Sequence, residues 1–268
     1  MTAKPKDASS VLLVRDSPSG KTGLEVLMVR RNVRSDFAAD AYVFPGGAVE
    51  DEDYLLQGDN SCSAMTLQEA QCVIKNIPCP EKALGLLIAG IRETFEEVGI
   101  LIAYVGGASS IQNFTPELAQ RLGEYRQEMQ QGRLSFMEML LREGMVLATD
   151  QLIHFAHWIT PEFSPVRYDT HFFISPMPSG QRSLHDDMET TASQWLSPHE
   201  AIEKHERQEF SMLPPTVSNL RMLAGFTSVQ QALTATQGKD ISTVLPKVRV
   251  EDGEMRLLMP GDPGYSSL

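Results

Sequence analysis

Two apolar spacings share this chain, and the places where one gives way to the other mark out its elements. Near the start, Ser9 to Arg15 and Leu24 to Arg31 are short apolar runs on either side of Ser17-Pro18-Ser19-Gly20, which predicts a hairpin. Tyr42 to Phe44 is a third strand, leading into Gly46-Gly47. The period then changes. Leu84, Leu87, Ile88, Ile91, Phe95 and Val98 recur at i, i+3, i+4, i+7, the stripe of a helix from about Glu81 to Val98, and Gly99 ends it as a residue free to take positive φ. Ahead of it, residues from about 51 to 80 start acidic and polar and hold a short helical stretch from Leu67 to Ile77, closed by Pro78 and Pro80. Ile100 to Val105 can return as a strand. Pro116 to Gly132 and Phe136 to Gly144 form an amphipathic helical addition at about 115–145, expected to pack over the sheet. Leu152 to Ile159, Thr170 to Ser175 and Ala192 to Leu196 read as strands. Ser197 before Pro198 opens a helix to Arg207, and Thr216 to Ala224 and Val229 to Thr236 are helical. A last hairpin, Val248 to Met259, turns at Asp252-Gly253. Strands mixed with helices predict one α/β domain, an α/β/α sandwich around a mixed β-sheet, spanning 1–268.

One helical segment does not fit a plain core helix. Arg92-Glu93-Thr94-Phe95-Glu96-Glu97-Val98-Gly99-Ile100 carries three carboxylates and one arginine within six residues. Glu93, Glu96 and Glu97 point away from the apolar stripe, and the Glu93/Glu97 pair at i, i+4 costs roughly 0.2 to 0.5 kcal/mol in a bare helix. Arg92 can reach Glu96 at i+4, while a divalent cation with oxygen ligands would neutralise the whole group more fully. A solvated acidic face is the alternative.

Read as a pattern, Arg-Glu-x-x-Glu-Glu-x-Gly fixes its positions tightly enough that a chance match is expected on the order of once in several thousand chains of this length. The segment resembles the second half of the Nudix box, G-x5-E-x7-R-E-U-x-E-E-x-G-U, where U is a bulky aliphatic residue. Val43-Phe44-Pro45-Gly46-Gly47 is similar to its opening. Two departures stand out. Asp53 occupies the place of the first glutamate, with 38 residues between it and Arg92 where the pattern has seven, and Thr94 replaces an aliphatic residue. An insertion of this kind, at about 51–80, resembles the long-insert coenzyme A diphosphatase branch known from peroxisomes and bacterial relatives. Trp158-Ile159-Thr160-Pro161, Arg167 to Phe173 and Leu213-Pro214-Pro215-Thr216 look like further segments of that branch.

The resemblance implies a Nudix-type fold and a magnesium ion, with manganese as an alternative, at Glu93, Glu96, Glu97 and the Gly47 backbone carbonyl. It gives Glu93 either a ligand's role or that of the base receiving the proton of water, and Arg92 that of orienting the glutamates. Asp186, Asp187 and Glu189 are candidates for a further acid, Glu189 being carried as a metal ligand, against the plainer reading of an exposed acidic loop. For substrate, Arg167 and Asp169 are a phosphate contact and its orienter or an ordinary ion pair. Arg30, Arg31 and Arg34 could meet a 3′-phosphate or form a solvated basic edge. The implied reaction is hydrolysis of coenzyme A or acyl-coenzyme A to 3′,5′-ADP and (acyl-)phosphopantetheine. A pyrophosphatase acting on ADP-ribose, NADH or a nucleotide sugar is the second reading, and a non-catalytic Nudix-fold module the third. Expansion of the box is expected to shape whatever is attached to the diphosphate.

Composition narrows the partners. A net charge of −12 over 268 residues argues against a nucleic-acid backbone and leaves a small phosphorylated molecule escorted by a cation. The sequence has no run of apolar residues long enough for a membrane span, and Met1 to Ser10 lacks the apolar core of a signal peptide, so a soluble intracellular protein is expected. The ending Ser266-Ser267-Leu268 lacks the lysine of a Ser-Lys-Leu signal, which makes cytoplasm the expectation and peroxisome the alternative. Cys62, Cys72 and Cys79 have neither zinc nor redox spacing and are expected to be reduced. His154 and His157, an odd number apart on a strand, are expected on opposite faces, which disfavours a histidine metal site. No Gly-x-Ser-x-Gly elbow accompanies the serines. A homodimer is compatible with the sequence and not specified by it.

Overall fold

The computed structural model describes residues 3–18, 23–32, 40–55, 62–105, 114–181, 190–251 and 254–267. Its centre is a mixed sheet in the order β10 (Thr243–Val244), β7 (Ile153–Ile159), β8 (Tyr168–Pro176), β1 (Lys6–Asp16), β2 (Leu24–Arg31), β3 (Tyr42–Val43). Two further strands join it off this path: β4 (Gly46–Ala48) pairs with β1, and β9 (Thr190–Leu196) with β2. β1 is the hub. It runs parallel to β8 along Lys6 to Val14, while its other edge is shared: Ala8 to Ser10 pair with β4 and Val14 to Asp16 with β2.

Strand alternation divides β1 between two cores. Val11 and Leu13 face one way, with Leu27, Val29 and Phe173, toward α3 (Pro80–Val98). Leu12 and Val14 face the other way, with Val26, Met28, Phe172 and Ile174, toward α6 (Pro198–Glu206), α7 (Pro214–Leu223) and α8 (Val229–Thr236). A sheet buried on both faces between helices is the expected α/β/α sandwich.

α3 is buried on nearly every side, Arg92, Glu93 and Glu97 included. A solvated acidic face is therefore not what the structure contains. Pro80 opens the helix at its first position and Gly99, at φ 70°, closes it by donating its N–H to Phe95 O at 2.8 Å. The insertion supplies α1 (Asp51–Leu55) and α2 (Leu67–Val73), the latter with a capping box between Thr66 and Glu69. Cys62, Ala70, Ile74 and Ile77 then pack into the α3 core. The addition forms α4 (Pro116–Gln130) and α5 (Phe136–Glu143). These bury Leu118, Leu122, Phe136, Met139 and Leu140 in the α3 core, with Phe136 against Phe95, so they cover the helix where the sequence led one to expect them over the sheet. β5 (Ala103–Val105) pairs with β6 (Met145–Leu147), a short strand the apolar pattern did not reveal, and β11 (Lys247–Glu251) pairs with β12 (Glu254–Leu258) as the expected final hairpin. Cys62, Cys72 and Cys79 are free thiols. Among the described residues no helix is long and apolar enough to cross a membrane.

Candidate active site

Both halves of the split motif meet at Arg92. Its guanidinium makes a two-pronged bond to Asp53, Nε to Oδ1 at 2.9 Å and Nη2 to Oδ2 at 3.1 Å. Nη2 also donates to Ala48 O, and Nη1 to Glu93 Oε1 and Glu96 Oε2, each at 3.0 Å. Asp53 and Arg92 are almost fully buried. Burial alone would lower the arginine's proton affinity, yet the bond to Asp53 and the surrounding carboxylates hold it well above the ordinary value. The predicted Arg92–Glu96 pair is present. The stronger tie, to Asp53, reaches across the insertion.

Glu93 and Glu97 close on the glycine turn. The Gly46 N–H donates to Glu97 Oε2 at 3.1 Å, and the Glu93 carboxylate lies so close over Gly47 that a Cβ there would overlap it. Gly46 has no room either, since its Cβ would sit 2.6 Å from Ser10 Cα. Paired glycines thus let β4 pass between β1 and α3. Desolvation raises the Glu96 carboxyl to about 7, against the pull of Arg92. From the other side Arg126 of α4 donates to Glu96 O at 2.8 Å and Glu97 O at 2.7 Å, satisfying carbonyls at the end of α3. Sequence reasoning missed Arg126, because a buried arginine on an amphipathic helix looks like any charged position on its exposed face.

Three carboxylates, Asp53, Glu93 and Glu96, therefore gather around the Arg92 guanidinium, and a fourth, Glu97, is held by the Gly46 N–H. The surplus of hard, anionic oxygen donors is the chemistry a small divalent cation prefers, so the donor set fits one. Glu97, Gly46, Gly47 and Ala48 in turn form one end of a cleft of about 470 Å³. Its walls are mainly apolar and aromatic: Phe44, Trp158, Phe163, Tyr168 and Phe172, with Pro161, Pro214, Pro215 and Pro246. Three segments picked out in the sequence, around Trp158, Tyr168 and Leu213, converge here. The described residues of the insertion do not line this cleft, contrary to expectation; Met65, Gln68, Glu69 and Cys72 border a separate depression with His154.

Other candidate residues lie elsewhere. In β8 the alternation sends Tyr168, Thr170 and Phe172 to the cleft and Asp169 and His171 to the α3 side. Asp169 bonds His157 Nε2 and pairs with Lys82 at 3.4 Å. Arg167 is buried and donates to Thr160 O and Ala3 O, a backbone clamp away from the cleft lining. Arg30 is half-buried and ion-paired with Asp40 at 2.7 Å, also outside the lining. Arg34, Asp186, Asp187 and Glu189 lie outside the described residues.

His154 and His157 do not face opposite ways. The β7–β8 register shifts between His154 and Ala156, so the extra residue restores both rings to one side. His154 Nε2 meets His171 Nδ1 at 3.1 Å, and His157 stacks on His171 at 3.9 Å between centroids. His157, Asp169 and His171 bring possible ligand atoms within 4.8 Å of one another. Yet rings only 15° from parallel aim their in-plane lone pairs side by side, and the Lys82 ammonium is bound to the same carboxylate. The group reads as a buried hydrogen-bond network. Desolvation lowers His154 to about 4 and His171 to about 2. Desolvation would raise Asp169, but His157 and Lys82 bring it down to about 2.

Comparison with known proteins agrees with this geometry. The family profile described as the NUDT19 Nudix domain matches residues 56–223. The chain is 31% identical over 302 residues to a Gallus gallus protein named acyl-coenzyme A diphosphatase NUDT19, covering 97% of this chain and 79% of that one. The Xenopus laevis protein of the same name is 26% identical, with 90% and 71% covered, and the Homo sapiens one 24%, with 92% and 74% covered. In fold, the chain superposes on the crystal structure of a NUDIX hydrolase from Alicyclobacillus acidocaldarius with a TM-score of 0.69 at 21% identity, over 90% of this chain and 100% of that one. With a family match across most of its length and the box reassembled around Arg92, this chain belongs to the Nudix hydrolases, in the NUDT19 Nudix domain family.

Proposed function

We propose that this protein hydrolyses the diphosphate bond of coenzyme A and acyl-coenzyme A, giving 3′,5′-ADP and (acyl-)phosphopantetheine. The observation that carries the reading is the junction of Glu93, Glu96 and Glu97 with a mostly apolar cleft through Glu97 and Gly47. A charged, metal-demanding end suits a diphosphate, and an apolar channel leading from it suits a long organic arm. The names of the Gallus, Xenopus and human relatives support the same substrate.

Glu93, Glu96 and Glu97, with the Gly47 carbonyl, would hold a divalent ion, magnesium or manganese by the oxygen-rich donor set. Bound there, the ion would supply charge neutralisation for the diphosphate and acidify water. The chain's own residues do the rest. Arg92 holds Glu93 and Glu96 in register, and the Gly46 N–H fixes Glu97. A water oxygen bonds to one phosphorus, the bridging P–O bond breaks, and the electron pair leaves with the departing phosphomonoester. Glu93, which shares Arg92 Nη1 with Glu96, is the glutamate proposed to take the proton of the attacking water. We place this action in the cytoplasm, on a small-molecule pool; a net charge of −12 keeps such a chain soluble.

The test is a metal-supplemented turnover assay with coenzyme A, acetyl- and longer acyl-coenzyme A, ADP-ribose and NADH, with products identified by mass. Coenzyme A species should be cut to 3′,5′-ADP. Rapid cleavage of ADP-ribose or NADH with coenzyme A left intact would transfer the function to nucleotide-sugar or dinucleotide pyrophosphatase. Glu97→Gln should lower turnover at least ~100-fold while circular dichroism stays unchanged; a metal-dependent, fully active variant would refute the role given to Glu97.

A further inference from the structure

Among the described residues one cation lines the cleft, and none of them forms an ion pair with it. Arg31 ends β2 and lines the cleft, its backbone N–H donating to Ala41 O at 3.0 Å. Its Nε is shut off from solvent with no hydrogen-bond partner, and among the described residues its guanidinium has no ion pair. The neighbouring arginine behaves differently: Arg30 is held by both oxygens of Asp40. Arg15 pairs with Glu25, Arg92 with Asp53, Arg121 with Glu143, and Arg126 and Arg167 donate to backbone carbonyls. The divergence of the two adjacent arginines has a local cause. Successive residues of β2 point to opposite faces of the sheet, and the register slip beside them skips a residue of β9, leaving β2 itself regular.

A half-buried guanidinium whose Nε is shut off from water without an acceptor is a poor structural choice, because that donor's lost hydration is not repaid by protein. It is a good choice for catching an anion that arrives with the substrate, since its forked donors match two phosphate oxygens. The remaining charged group of the lining, Glu97, belongs to the carboxylate end. We propose that Arg31 is a substrate-recognition residue that receives phosphate oxygens within the cleft, opposite in charge to the Glu97 that shares its lining. This rests on the reading of the protein as a diphosphatase. Two phosphates of such a substrate share this chemistry, the diphosphate itself and a 3′-phosphomonoester on the nucleoside, and they can be told apart.

The experiment compares the full-length wild type, Arg31→Met and Arg31→Lys on coenzyme A and on 3′-dephospho-coenzyme A, with kcat and KM resolved. Methionine keeps an apolar stem of similar reach, and thermal melting checks that each variant folds. Arg31→Met should lower kcat/KM for coenzyme A about 10- to 100-fold, chiefly through KM, and Arg31→Lys should lose less. A loss confined to coenzyme A identifies the 3′-phosphate, whereas an equal loss on both substrates identifies the diphosphate. If Arg31→Met stays within two-fold of wild type on both, or loses activity only together with its melting temperature, the proposal is overturned. Should the wild type cut neither substrate, the function assigned above fails, and the same variants tested on the diphosphate it does cut still judge Arg31.

Discussion

Asp53 shows how a single carboxylate can matter without touching substrate. It has no solvent exposure, and its two oxygens take Arg92 Nε and Nη2. Removing its charge leaves the guanidinium buried among fewer acceptors, and breaking such a pair costs about 3 to 5 kcal/mol. Asp53→Ala should therefore move the urea midpoint sharply downward, with turnover falling as Glu93 and Glu96 lose their shared anchor; unchanged unfolding would mean that Ala48, Glu93 and Glu96 suffice to hold Arg92. Gly47→Ala tests the opposite face of the same site. An added Cβ would push the Glu93 carboxylate aside, so activity should fall at least ~10-fold with little change in stability. A variant with wild-type turnover would show that Glu93 has room to adjust. At this scale much was readable: Arg92, Glu93, Glu96 and Glu97 follow from charge crowding on one helix, and the Arg92–Glu96 pair from i+4 spacing. Arg126 and the true partners of Arg167 were not, because their significance lies in which atoms of distant strands and helices they meet.

Among the elements, β7 carries the plainest lesson. Alternation predicts strand faces correctly along β1 and β8, but one inserted residue near Phe155 reverses the parity of everything beyond it. Parity is a count, so a bulge that leaves no mark in composition defeats it. The result is an imidazole cluster of His154, His157 and His171 buried beside Asp169 and Lys82. His154 and His171 are held neutral in the folded chain below their ordinary value near 6.5, and they bind protons when the chain unfolds. Their contribution is present above pH ~6.5 and is withdrawn as the pH falls toward the His154 value of about 4. Urea midpoints should thus decline steadily as the pH is lowered from 7 to 4.5. A flat profile over that range would show that the imidazoles stay hydrated. Helix ends were more transparent: Gly99 and Ser197 close and open their helices as local chemistry dictates, the Ser197 hydroxyl accepting from Glu200 N at 3.2 Å.

For the molecule as a whole, the sheet divides labour between its two faces. α3, the insertion and the addition occupy one side with the carboxylates, while α6, α7 and α8 occupy the other, and the cleft opens where β4 carries the chain past the end of α3. The sandwich was readable from element order alone. That the insertion thickens the α3 layer and leaves the cleft to Trp158, Tyr168 and Pro214 was not, since both surfaces draw on similar apolar residues. The bond between Asp53 and Arg92 gives this division a further meaning. It acts as a clasp across 38 residues of chain, the last of them, from Pro80 to Ile91, already belonging to α3. The entropy of closing a flexible loop grows only with the logarithm of its length, each doubling adding about 0.6 kcal/mol. Provided the clasp and the α3 packing survive, the intervening chain is free to lengthen, shorten or take on new surfaces at little energetic cost, with the chemistry on the far side of the clasp insulated from the change.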